Sequence, residues 1–128
     1  MKNILFLFLL LTVSAYCLGE TNTAREKENE RIFVIDEEGK HGTITFAITI
    51  DGRGKIKNVA ILESIEVKGA KIGRKRFLKQ FIGKRLEDPI KVNKDIDAVT
   101  GATVSSKAAA HAARKALIMW EESLMRRE

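Results

Sequence analysis

The sequence predicts an α+β fold, a small antiparallel sheet with a central hairpin packed by two helices, the C-terminal one long. Three patterns predict it. Apolar and polar residues alternate strictly from Gly42 up to a reversal holding two glycines. A helical spacing of apolar residues over 74–82 closes on Gly83, and an alanine-rich run fills the C-terminal part of the chain. The length of 128 residues suits one domain.

Taken in order, Arg31-Ile32-Phe33-Val34-Ile35-Asp36 is a short strand that stops at the turn Glu38-Gly39. In the next strand Ile44, Phe46, Ile48 and Ile50 share one face, and Thr43, Thr45, Ala47 and Thr49 the other. The reversal Asp51-Gly52-Arg53-Gly54 follows, with both glycines expected to supply positive φ. Lys55 to Leu62 returns as the antiparallel partner. After an irregular stretch from Glu63 to Gly73, a helix over 74–82 sets Phe77, Leu78, Phe81 and Ile82 against Arg74, Lys75 and Lys79. The last helix is expected over 105–121, with Thr103, Ser105 and Ser106 as capping residues and Met119 and Trp120 packing it on the sheet.

The N-terminus reads as an address. Lys2 precedes an uncharged apolar run from Ile4 to Leu11, with small residues at Ser14 and Ala15. Such a run is too short for a bilayer, which needs about 20 residues, but suits a signal peptide. The expected organisation is a signal peptide over 1–19, a polar tether over 20–31 and one domain over 32–128, exported to the periplasm or the outer side of the cytoplasmic membrane. An uncleaved anchor that includes Val13 to Leu18 is the rival. The one cysteine, Cys17, falls in the same segment, and Tyr16 before it is a poor fit to lipoprotein processing. No Cys/His spacing suits zinc, haem or an iron–sulfur cluster, and His41 and His111 read as surface or packing residues. The net charge of +6 names no partner. The cluster Lys68, Lys71, Arg74, Lys75, Arg76 and Lys79 lacks the interleaved aromatics of a nucleic-acid surface. It reads as a solvated face or a docking surface for an acidic partner.

The informative stretch is Asp97 to Ser106. Gly101 and Ala102 remove bulk, so backbone N–H groups can approach an anion. The helix that follows points its positive end there. Thr100, Thr103, Ser105 and Ser106 add hydroxyls able to bind phosphate oxygens or form an ester, and Asp97 adds a carboxylate suited to a metal ion or a turn cap. A nucleotide P-loop is excluded, because Ser106 stands where it needs glycine and Ala108 where it needs Ser or Thr. The residues by themselves leave either a phosphate site or a plain helix cap.

Asp97-Ala98-Val99-Thr100-Gly101-Ala102-Thr103 resembles the flavinylation motif Asp-x-x-(Ser/Thr)-Gly-Ala-(Ser/Thr) of the FMN-binding domain family. That family includes flavin-carrying components of the Rnf complex and of the sodium-pumping NADH:quinone oxidoreductase, and many small exported single-domain proteins. Gln80-Phe81-Ile82-Gly83-Lys84 is similar to the family's helix ending, and the likeness spans about 42–117. The resemblance implies FMN joined through its phosphate to the Thr103 hydroxyl by a Mg-dependent flavin transferase that uses FAD as donor. Asp97, Gly101 and Ala102 would then be what the transferase reads, and Ser105 or Ser106 would face the phosphate. It also implies an electron carrier rather than an enzyme, working with a membrane or exported oxidoreductase, a cytochrome or an iron–sulfur protein. The chain departs from the family before its first helix, where it lacks the Glu-Thr-Pro-Gly-Leu-Gly stretch that lies against the flavin ring. Gly69 and Ile72 are the expected ring contacts there. Two other classes remain beside this reading: a module holding FMN or another phosphate ligand without a covalent bond, and a basic exported surface protein without flavin.

Overall fold

A computed structural model describes residues 29–64 and 72–128. The expected signal peptide, most of the tether, the N-terminal part of the basic cluster and Gly69 lie outside the described residues. Strands β1 (Arg31–Glu38), β2 (Thr43–Ile50) and β3 (Ile56–Ser64) form one antiparallel meander in the order β1-β2-β3. Helix α1 (Lys75–Leu78) runs on into a 3₁₀ turn (Lys79–Phe81), and helix α2 (Thr103–Met125) closes the fold. The α+β architecture is as the sequence predicts.

Side chains two apart on a strand share a face. Ile44, Phe46, Ile48 and Ile50 are therefore all buried together, and α2 lies over them. The helix meets this face with Ala108, Ala109, Ala112, Ala113, Ala116 and Leu117. Alanine favours the helix and keeps its backbone close to the sheet, so bulky strand residues and small helix residues fill one layer. The opposite sheet face is open, with Ile32, Val34 and Leu62 exposed on it.

The elements differ from expectation in four places, each for a local reason. In the β2–β3 reversal only Gly54 takes positive φ (+83°). The rest of the turn is held by the Asp51 carboxylate, which accepts from the N–H groups of Arg53 (2.8 Å) and Lys55 (3.0 Å). The helix over 74–82 is one α-turn and one 3₁₀ turn, and Ile82 is extended (ψ 129°), so its side chain is half exposed rather than packed beside Phe81. Helix α2 starts two residues earlier than expected and runs on to Met125, since no Gly or Pro stops it. Near its end Trp120 packs on the core, but Met119 is 46% exposed and does not.

Within Gln80-Phe81-Ile82-Gly83-Lys84, Phe81, Gly83 and Lys84 each have a structural job. Phe81 is fully buried and meets Phe77 edge-on, with ring centroids 5.5 Å apart. Gly83 takes φ +84°, and its N–H donates to the carbonyl of Ile56 (2.7 Å), while the Ile56 N–H donates to the Lys84 carbonyl (2.9 Å). The segment is thus clipped to the start of β3. Lys84 Nζ then reaches Asp95 at 3.1 Å.

Candidate functional site

Residues 89–102 form an irregular connection held by two side-chain clasps. In the first, the Asp95 carboxylate accepts from the N–H groups of Ile90 (3.0 Å) and Lys91 (2.9 Å) and pairs with Lys84. Burial pushes this carboxyl up, but those hydrogen bonds outweigh it and hold it below its ordinary value of 3.8. The clasp sustains a backbone that ordinary residues avoid, with Ile90 at φ 44° and Asn93 at φ 70°. In the second, the Gln80 amide grips the backbone of Asp97 from both sides. Its oxygen accepts from the Asp97 N–H (2.7 Å) and its nitrogen donates to the Asp97 carbonyl (3.1 Å). The 3₁₀ turn after α1 therefore fixes where the Asp97 to Thr103 run begins.

The run itself turns back at Thr100-Gly101, where the Ala102 N–H donates to the Val99 carbonyl (2.9 Å). The third position of such a turn needs positive φ, and Gly101 supplies it at 80°. Ser106 locks both ends of the turn from below. Its hydroxyl donates to the Ala102 carbonyl (2.7 Å) and accepts from the Val99 N–H (3.1 Å). Ser106 is fully buried, so its hydroxyl builds the loop instead of facing a ligand as expected.

Helix α2 starts at Thr103 with Ala102 as its N-cap, and among the described residues no side chain caps it. The expected capping by Thr103, Ser105 and Ser106 therefore does not occur at the N-cap position. The first N–H groups of a helix have no partner within it, and the alanine N-cap offers them no side-chain acceptor, so the positive end of the helix faces this loop. Thr103 is exposed on this first turn, Thr100 and Gly101 are exposed beside it, and Asp97 is exposed at the head of the run. A cavity of about 290 Å³ opens there, lined by Gly101, Ala102, Thr103, Val104 and Ser105 on one side and by Lys40 and His41 on the other. Ser105 is buried along this wall.

Lys40 and His41, in the β1–β2 turn, are what sequence reasoning missed. They stand far from Thr103 in the chain, and no local pattern links the two. Ile72, an expected ring contact, is fully buried in the hydrophobic core. A second cavity, of about 470 Å³, lies further along α2 between Ile90 to Asn93 and the helix residues Lys107, Ala110 and His111. Among the described residues no group of His, Cys, Asp and Glu is placed to hold a metal ion.

A glycine turn leading into a helix N-terminus, beside an exposed hydroxyl, suits a phosphate-bearing cofactor. The family model of the FMN-binding domain matches residues 39–118. The chain belongs to the FMN-binding domain family. A search of curated proteins found no match. FMN is thus the cofactor of this domain, and the matched span runs from the β1–β2 turn well into α2. The residues present fit the group: the start of α2 would present N–H groups to a phosphate, Thr103 would offer an exposed oxygen, and Lys40 a positive charge on the facing wall.

Proposed function

We propose that this protein is an exported electron-transfer domain that carries FMN as a phosphoester on Thr103. The observation that supports the reading best is the placement of Thr103, exposed in the first turn of an uncapped helix and open to a cavity. In the attachment step the Thr103 hydroxyl attacks the FMN-side phosphorus of FAD. The bond from that phosphorus to the bridging oxygen breaks, AMP leaves, and the hydroxyl proton passes to a base of a Mg-dependent flavin transferase. The product carries one negative charge, which the N–H groups of the first turn of α2 receive. Gly101 lets the backbone come close, Ser106 keeps the turn rigid, and Gln80 sets its register against the 3₁₀ turn. Bound flavin supplies one- and two-electron redox chemistry, and the protein supplies attachment and orientation.

The export half of the proposal rests on the apolar run from Ile4 to Leu11 behind Lys2. No described helix is long and apolar enough to cross a membrane. Covalent attachment suits a site outside the cytoplasm, where a dissociable flavin would be lost by diffusion. A membrane-bound oxidoreductase, a cytochrome or an iron–sulfur protein would exchange electrons with it.

The test is to express the full chain with and without a flavin transferase and examine it on a denaturing gel under ultraviolet light, with intact mass alongside. The proposal expects a fluorescent band and an FMN-sized mass gain only with the transferase, both lost in Thr103→Ala. Flavin that comes off on denaturation would instead make this a non-covalent FMN module.

A further inference from the structure

The β1–β2 turn does more than join two strands. It is pinned at its base, where the Gly39 N–H donates to the Gly42 carbonyl (2.8 Å) and Thr43 Oγ1 donates to Glu38 (3.3 Å). That pinning holds Lys40 and His41 at the apex, across the 290 Å³ cavity from Thr103. Among the described residues no carboxylate lines this cavity and no ion pair engages Lys40. Other lysines of the fold do have such partners: Lys57 pairs with Glu30, Lys84 with Asp95, and Lys115 with Glu37. An ammonium with no carboxylate among the described residues, facing an uncapped helix start, makes a site whose charge is positive from both walls.

We infer that Lys40 is a positioning residue for the phosphate of the flavin donor and of the finished phosphoester on Thr103. The inference rests on the covalent reading above. The incoming FAD pyrophosphate and the phosphodiester product are both anions at neutral pH. The helix start alone offers them only partial charges, which fade within one turn. Lys40 supplies a full charge from the opposite side, so the phosphorus is held between the turn and the helix rather than only against the helix. Its role is to gather and orient, since the atom that forms the bond belongs to Thr103. A solvent-facing ammonium is worth a few-fold in rate rather than orders of magnitude. Arginine should replace it, because a phosphate accepts either cation.

The experiment uses the full chain, a purified flavin transferase, FAD and Mg²⁺, and follows FMN incorporation by gel fluorescence. Initial rates at varied protein concentration separate KM from kcat. Lys40→Gln should lower kcat/KM about three- to fivefold, and Lys40→Glu about tenfold, with Lys40→Arg within about twofold of wild type. The deficit should shrink as salt rises toward about 1 M, where charges more than ~3 Å apart are screened. Lys57→Gln removes the same charge from β3 and should leave the rate unchanged, which separates a local effect from net charge. Thermal melts of each variant show whether it is folded, and Lys40→Gln and Lys40→Arg keep the test decisive if Lys40→Glu is not. Equal rates for wild type, Lys40→Gln and Lys40→Glu would overturn the role of Lys40 while leaving the covalent reading intact. No incorporation into wild type, in a reaction that flavinylates a known acceptor protein, would overturn the covalent reading itself.

Discussion

The two ends of α2 are built on opposite rules. Toward the C-terminal end, side chains from the sheet reach the helix and tie it down. The Arg31 guanidinium donates to the Ser123 hydroxyl (2.5 Å), which in turn donates to the Trp120 carbonyl (2.6 Å). Lys115 pairs with Glu37 on β1, and the Trp120 ring covers Gly54 so closely that an added Cβ would sit 2.7 Å from it. At the N-terminal end the helix starts on an alanine, no side chain among the described residues caps it, and Thr103 and Val104 face outward. The Ser106 hydroxyl turns inward, but it serves the preceding turn. The closed end stores stability, whereas the open end turns the positive pole of the helix, behind an alanine N-cap, toward a cavity. Ser, Asp or Asn in place of Ala102 would cap that start for about 1 kcal/mol.

This contrast can be broken from either side. The largest expected effect is at the closed end. Gly54→Ala forces a side chain into the Trp120 ring at φ +83°, two penalties at once. We expect a loss of about 2–4 kcal/mol in urea unfolding. The flavin bound per folded molecule should stay at the wild-type level. A variant that melts as wild type does would show that Trp120 is free to move and that this end is not closed.

A smaller effect is expected where the open end is braced. Ser106→Ala leaves the Val99 N–H without its acceptor under a buried position. The cost should be about 1–3 kcal/mol. Unlike Gly54→Ala, it should also lower flavin loading of the folded fraction, because the turn that presents Thr103 loses its lock. Stability loss with normal loading would make Ser106 part of the scaffold alone.

The smallest effect concerns the clasp at Asp95. Its folded-state carboxyl titrates below the ordinary value of 3.8, so the ionised form is favoured by folding. The stability this contributes is complete above that ordinary value and is lost as pH falls below it toward the folded-state value. Replacing Asp95 with Asn should therefore flatten the acid limb of a stability–pH curve while leaving its shape near neutrality unchanged. An acid limb identical in both proteins would place the acid sensitivity elsewhere.

How much of this was legible in the sequence follows from the range of the interactions involved. The inner face of β2 could be read from four residues, because strand alternation is local and Ile44 to Ile50 obey it without exception. The Gly83 stop was legible for the same reason. The start of α2 was misplaced by two residues, since hydroxyls at Ser105 and Ser106 look like caps until Ser106 is seen to serve Val99. The Gln80 clasp on Asp97 spans 17 positions and leaves no periodic trace. The motif was visible as residue types, but the wall that faces it was not. Lys40 and His41 come to Thr103 only because the meander and α2 are stacked, and a glycine-flanked turn of polar residues looks like any other hairpin end.

The central claim is that one oxygen, on Thr103, carries the flavin. Peptide fragmentation of the transferase-treated full chain addresses it directly, because Thr100, Thr103, Ser105 and Ser106 all lie within one short peptide. The account predicts an FMN phosphate on Thr103 alone, retained when Thr103→Ser is made and absent from Thr103→Ala. FMN mapped to Thr100 or Ser105, or carried undiminished by Thr103→Ala, would contradict it.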